Sequence, residues 1–79
     1  MITTRRELNK EKIRRSILKA SRKLFSTKGY EDTMMEDIAV TAEVSKATIY
    51  NYFPNKESLL IGTADEVLDK IKMLLDSNE

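Results

Sequence analysis

Apolar residues recur at helical spacing along most of this 79-residue chain, and this periodicity constrains its fold more than any other feature. Between Asn9 and Lys28 they are separated by four, three and four positions, which is the pattern of one buried helix face: Ile13, Ile17, Ala20 and Leu24. Lys28 and Gly29 then place a cation near the negative end of the helix dipole and a residue able to adopt positive φ. We therefore predict a first helix over residues 9–28.

Two shorter helices are predicted next. Thr33 and Glu36 stand at capping-box spacing ahead of Ile38, which predicts the start of a second helix. Ser45 is suited to be the N-cap of a third helix that ends near Phe53, because a hydroxyl oxygen can accept a hydrogen bond from an unpaired amide of the first turn.

A fourth helix is predicted to follow the single proline of the chain. Pro54 ends the third helix, and Asn55 can cap the next one. Apolar residues then continue at helical spacing from Leu60 to Leu75. Because the sequence contains no strand pattern and no internal repeat, the predicted fold is all-α with four helices.

The composition argues against most catalytic and metal-binding chemistry. There is no cysteine and no histidine, so disulfides, thiolate metal sites and the commonest catalytic base are absent. The carboxylates Asp65, Glu66 and Asp69 fit the solvated side of the fourth helix. The N-terminus is charged rather than signal-like, and no apolar run is long enough to span a bilayer. We expect a cytoplasmic protein that is not an enzyme, has no cofactor or metal and does not enter a membrane.

The second and third predicted helices, separated by a three-residue break, have the outline of a helix-turn-helix. On a helical wheel Ile49 and Phe53 face inward, so the polar residues of the third helix face outward. A helix that enters the major groove needs side chains that reach base edges and others that bind phosphates. Lys46 and Asn51 can reach the base edges. The phosphates can be bound by Thr48, Tyr50, Tyr52 and Lys56.

Charge is distributed unevenly along the chain. Residues 1–28 carry ten Lys or Arg against two Asp or Glu, and residues 29–79 carry four against eleven. The basic block fits either a solvated helix face or a surface that attracts phosphates, and both interpretations stay open. Arg5, Arg6 and Lys10 likewise fit either a solvated tail or an arm that reaches DNA.

The segment from Ile17 to Leu60, ILKASRKLFSTKGYEDTMMEDIAVTAEVSKATIYNYFPNKESLL, resembles the DNA-binding domain of the TetR family of bacterial transcriptional regulators. It contains the family's Gly-Tyr, Ile-Ala, Val-Ser, Thr-Ile-Tyr, Tyr-Phe and Lys-Glu-x-Leu-Leu landmarks in register. The chain departs from the family at Glu43 and Ala47, where glycine is frequent. If position 43 requires positive φ, a residue other than glycine carries a strain of roughly 1 kcal/mol.

The resemblance implies a homeodomain-like three-helix fold, with the third helix in the major groove and the first part of a long fourth helix attached. We accordingly divide the chain into a flexible basic N-terminal arm over residues 1–8, a helix-turn-helix DNA-binding domain over 9–55, and a fourth helix over 56–79 that links to a missing ligand-binding and dimerisation domain. In this reading Lys46 and Ala47 lie at base-contacting positions, and Thr33 matches a frequent phosphate contact. The complete set of expected DNA-binding residues is Thr33, Ser45, Lys46, Ala47, Thr48, Tyr50, Asn51, Tyr52 and Lys56.

The resemblance also implies partners for a longer protein. Family members continue into a domain that forms the homodimer and binds a small-molecule inducer, so we expect this chain to be a fragment or a truncated form of a repressor. The expected partner is a palindromic operator in duplex DNA, with the protein associated with the nucleoid when bound. The alternative is a helix-turn-helix module that binds another protein and not DNA.

Overall fold

The computed structural model describes residues 4–76, and within that range the chain is helical with no strand. Its helices are α1 (Arg5–Thr27), α2 (Met35–Thr41), α3 (Lys46–Tyr52) and α4 (Lys56–Asp76). This confirms the prediction of an all-α chain with four helices. No helix in the described range is long and apolar enough to cross a membrane.

Helix α1 begins at Arg5, four residues earlier than predicted. The side chain of Thr4 caps it, because its Oγ1 accepts a hydrogen bond from the main-chain N–H of Glu7 over 3.2 Å. Residues 5–8 of the expected N-terminal arm are therefore helical, and residues 1–3 lie outside the described range. At the other end Gly29 has a φ of 91°, the left-handed conformation predicted for it.

Helix α2 begins one position later than the predicted capping box. Met34 is the N-cap, and its N–H donates to Oδ2 of Asp37 over 3.1 Å. The same oxygen lies 3.0 Å from the Lys28 ammonium, so one carboxylate joins the start of α2 to the end of α1. The predicted pair of Thr33 and Glu36 is wrong because Thr33 turns its hydroxyl into the protein instead of capping the helix.

The turn between α2 and α3 is tight, and a serine caps the helix that follows it. Glu43 has a φ of 59°, so the position that is glycine in much of the family does require the left-handed region. Ser45 Oγ accepts a hydrogen bond from the N–H of Thr48 over 3.1 Å, which confirms its predicted role as N-cap. Phe53 is extended before Pro54, and α3 ends there as expected.

The core lies where α1 packs against α2 and α4, with α3 held against α2. Its buried apolar residues are Ile17, Leu18, Ala20, Met35, Ile38, Ala39, Ile49, Phe53 and Leu59. Gly62 lets α4 approach closely, since an added Cβ would lie 2.7 Å from Cδ2 of Leu18 and 3.3 Å from Cε1 of Phe53. This contact links α4 to α1 and to the residue that ends α3.

Only the first half of α4 contributes to this core. Its buried residues are Leu59, Gly62 and Thr63, and Asn55 caps its start by accepting the N–H of Ser58 over 2.8 Å. Every residue from Val67 to Asp76 is exposed. The exposed part carries an apolar stripe at helical spacing, formed by Val67, Leu68, Ile71, Met73, Leu74 and Leu75.

Candidate nucleic-acid interface

Helix α3 presents one buried face and one exposed polar face. Ile49 is fully buried and Phe53 nearly so, which fixes the helix from behind. The opposite face carries four predicted site residues that are all exposed: Lys46, Ala47, Tyr50 and Asn51. This short helix therefore offers an ammonium, a phenol and a carboxamide to the same side of the molecule.

The hydroxyls of Ser45 and Thr48 form a small network at the start of α3. Ser45 Oγ receives the Thr48 N–H and donates its own proton to Thr48 Oγ1 over 2.8 Å. Within the described residues no acceptor takes the hydroxyl proton of Thr48. That proton can be donated outward, whereas the Ser45 hydroxyl is already occupied by capping.

Two of the exposed α3 side chains meet a carboxylate from α2. The Tyr50 hydroxyl donates to Oε1 of Glu36 over 3.4 Å, and the Lys46 ammonium lies 4.0 Å from the same oxygen. We call these three residues the Glu36 cluster. Glu36 was predicted only as a helix-capping residue, and the one local signal of another role is its acidic character in the first turn of α2.

Lys56 is half-buried at the start of α4 and folds back onto the turn between α1 and α2. Its ammonium donates to the Tyr30 carbonyl over 2.7 Å, lies 3.5 Å from the Glu31 carbonyl and stands 4.4 Å from the centre of the Tyr30 ring. Desolvation raises the pKa of Tyr30, and the nearby carboxylates of Glu57 and Glu31 raise it further. Lys56 therefore has a structural partner in the turn between α1 and α2.

Thr33 and Tyr52 are turned toward the core, unlike the exposed residues of α3. Thr33 is 1% exposed, and its hydroxyl lies 2.7 Å from the Gly29 carbonyl and 3.2 Å from the Leu24 carbonyl. Its hydroxyl joins the turn to α1, so Thr33 is not one of the surface residues that can contact DNA. Tyr52 is half-buried against the core, so its ring is shared between packing and the surface.

The structure thus brings together the exposed residues of α3, and α4 begins at Lys56, four residues after α3 ends. It leaves Thr33 inside. Among residues 4–76 no group of three or more acidic side chains is arranged to hold a metal ion.

Comparisons with known proteins agree with this geometry. Residues 17–62 match the family described as bacterial regulatory proteins, tetR family. The chain is 41% identical over 61 residues to the uncharacterized HTH-type transcriptional regulator YuxN of Bacillus subtilis, a match that covers 77% of this chain and 20% of the relative. It is 41% identical over 56 residues to the HTH-type transcriptional regulator RutR of Escherichia coli K12, covering 71% and 26%.

A longer match joins the chain to the HTH-type transcriptional regulator AlkX of Mycobacterium tuberculosis, at 33% identity over 76 residues, covering 91% of this chain and 36% of the relative. The chain thus spans about a fifth to a third of the length of these curated relatives. The relatives are named as transcriptional regulators, a class of protein that is not enzymatic. No solved structure was found to match the chain.

Proposed function

This chain belongs to the TetR family of bacterial DNA-binding transcriptional regulators, and from that membership we propose that it acts as the operator-reading part of a repressor. The observation that carries the proposal is the exposed polar face of α3, which the buried Ile49 and Phe53 anchor from behind. A helix of this kind can enter the major groove of B-DNA, whose base edges are open to side chains.

Each predicted site residue on α3 has a role in this proposal. Lys46 and Asn51 contact base edges, and Ala47 allows the helix to approach them closely. Thr48 donates its hydroxyl proton to a phosphate. Tyr50 and Tyr52 also contact the DNA backbone, and Ser45 supports them by capping the helix.

Lys56 is proposed to bind a phosphate with the third N–H of its ammonium, since two acceptors from the protein already lie near the other two. The α4 amides beside it favour the same anion. Thr33 has no part in the proposal, because its hydroxyl is buried.

The exposed apolar stripe of α4 supports a proposal for the rest of the repressor. Relatives are three to five times longer than the matched segment, and an apolar stripe of this kind requires a covering surface. We place the homodimer contact and the small-molecule inducer site in such a further domain. Two copies then set two α3 helices into successive major grooves of a palindromic operator in the cytoplasm. Inducer binding then displaces α4, so that the spacing of the two α3 helices no longer fits the operator.

Titration of the 79-residue chain with duplex DNA at several salt concentrations tests the core of the proposal. The logarithm of the affinity is expected to fall linearly with the logarithm of salt concentration, by about 0.9 for each phosphate neutralised. Lys46→Ala and Asn51→Ala are expected to change preference among sequences by about 1–3 kcal/mol. Lys72→Ala is the matched control, because it removes the same charge as Lys46→Ala from the exposed distal half of α4.

The alternative, a module that binds protein and not DNA, predicts different results. Affinity for duplex DNA would then be absent or independent of salt, and Lys46→Ala would be silent. The exposed apolar stripe is what favours this alternative. Leu68→Ser and Ile71→Ser would abolish partner binding in that case, whereas they are expected to leave DNA binding by the 79-residue chain unchanged.

A further inference from the structure

The carboxylate of Glu36 lies on the same surface as the proposed base-reading residues. Its Oε1 is 3.4 Å from the Tyr50 hydroxyl and 4.0 Å from the Lys46 ammonium, and the Glu36 side chain is 44% exposed. A carboxylate in this position is unfavourable beside phosphates, because like charges repel. A hydrogen-bond donor on the DNA would offset this repulsion.

Two bases present an amino donor in the major groove, and in adenine the N6 donor lies beside the acceptor N7, which repels a carboxylate. Cytosine presents its N4 amino group there as a donor, whereas guanine offers acceptors at O6 and N7, which suit an ammonium. Successive base pairs stand about 3.4 Å apart along one strand. The Lys46 ammonium lies 4.0 Å from Oε1 of Glu36, so the two side chains are close enough to serve neighbouring base pairs.

The contacts within the Glu36 cluster leave the carboxylate able to do this. The Tyr50 hydroxyl binds Oε1 and steadies the side chain, while within residues 4–76 no hydrogen bond is made to Oε2. The Lys46 side chain is 69% exposed, and its 4.0 Å separation from Glu36 is longer than a hydrogen bond. The ammonium can thus turn to a guanine while the carboxylate keeps its place.

From this arrangement we propose that Glu36 is a specificity-determining residue, which accepts a hydrogen bond from a cytosine amino group next to the guanine bound by Lys46. The proposal rests on the proposed DNA-binding function. It assigns sequence reading to the first turn of α2 in addition to α3. Because the one hydroxyl proton of Tyr50 goes to Glu36, Tyr50 positions the carboxylate and does not donate to a phosphate, so its contact with the DNA backbone is one of packing alone.

Selection of bound sequences from a randomised duplex pool at low salt tests this assignment. The unmodified chain is expected to enrich cytosine at one position beside an enriched guanine. Glu36→Gln is expected to lose about tenfold of that cytosine preference and to favour adenine there, because a carboxamide can pair with adenine N6 and N7. Glu43→Gln is the matched control, since it removes the same charge from the same helix-turn-helix and is expected to leave every preference unchanged.

The other outcomes are distinct. If Glu36→Gln binds all sequences more tightly with the same preferences, the carboxylate only repels DNA and the assignment is wrong. If its thermal unfolding temperature falls while selection is unchanged, Glu36 serves stability alone and the assignment is again wrong. If the unmodified chain selects no sequence, the proposed function itself fails. That result is distinct from a failure of the Glu36 assignment, in which the unmodified chain and Glu36→Gln select the same sequences.

Discussion

The Lys56 ammonium donates a hydrogen bond over 2.7 Å to the main-chain oxygen of Tyr30 and stands 4.4 Å from the centre of the Tyr30 ring. One side chain thus ties the first residue of α4 to the turn between α1 and α2, which lies 26 positions earlier in the chain. Tyr30 packs in turn against Phe25, with ring centres 5.1 Å apart. The ammonium is therefore held against the turn between α1 and α2.

Replacing Lys56 is expected to weaken both the fold and DNA binding. Lys56→Met keeps most of the aliphatic stem but removes a charge-assisted hydrogen bond to a carbonyl, so we expect the free energy of unfolding to fall by about 1–2 kcal/mol. Affinity for duplex DNA is expected to fall by a similar factor on every sequence, because a phosphate contact carries no base information. Urea unfolding and DNA titration measure the two effects. A wild-type urea midpoint in Lys56→Met would contradict the structural role.

The close approach at Gly62 predicts that alanine is unfavourable there, although alanine is normally the better helix former by about 1 kcal/mol. The new methyl group would lie 2.7 Å from Cδ2 of the fully buried Leu18. Overpacking a core typically costs about 1–3 kcal/mol, which outweighs the gain in helix propensity. We therefore expect Gly62→Ala to lower the free energy of unfolding by about 1 kcal/mol.

Ala64→Gly provides the control for Gly62→Ala. Ala64 is exposed on the same helix, so its replacement by glycine measures the propensity term without a packing change. Both variants are expected to destabilise the chain, although they change the residue in opposite directions. A gain in stability for Gly62→Ala would show that α4 can move away from α1 without loss.

The features of the fold that depend on local pattern could be predicted from the sequence. The helical spacing of apolar residues predicts the four helices. The cap at Ser45 follows from its hydroxyl and the main-chain N–H three residues later. The inward direction of Ile49 and Phe53 follows from their four-residue separation. Because these two residues point inward, the polar residues of α3 are left on its exposed face.

The features that depend on tertiary contact could not be predicted in this way. Asp37 and Glu36 are both acidic in the first turn of α2, and only the backbone position of Met34 selects Asp37 as the capping partner. Thr33 is buried because two carbonyls from the end of α1 lie within reach of its hydroxyl. The contact between Glu36 and Tyr50 spans fourteen positions, a separation for which sequence periodicity carries no signal.

The positive φ of Glu43 predicts a stabilising substitution. A residue with a Cβ at a φ of 59° is strained by about 1 kcal/mol, and glycine removes that strain while adding some flexibility to the unfolded chain. We expect Glu43→Gly to raise the free energy of unfolding by about 0.5 kcal/mol. Glu43→Ala is the control, since it removes the charge but keeps the Cβ, and it is expected to bring no gain. Equal stability of the two variants would assign the effect to charge.

Acid is expected to weaken the fold partly through Asp37. Hydrogen bonds from the Met34 N–H and then from the Lys28 ammonium lower the pKa of this carboxyl below its ordinary value of 3.8. A carboxyl whose folded pKa is depressed stabilises the folded state above its unfolded pKa, and that contribution is lost as the pH falls through the folded pKa. Asp37→Asn is therefore expected to be less stable than the unmodified chain at pH 6, with a difference that shrinks as the pH drops below about 4.

Urea midpoints of both chains across this pH range measure that difference directly, since the remaining carboxylates titrate in both and largely cancel. Asp32→Asn is the matched control, because Asp32 is an exposed aspartate close in sequence that has neither of these two contacts. Its midpoint is expected to stay near that of the unmodified chain at pH 6. The difference in urea midpoint between Asp37→Asn and the unmodified chain could instead stay constant down to about pH 2.5. In that case the charge of the carboxylate would not stabilise the contact between α2 and α1, and the shape of the side chain alone would account for the cap.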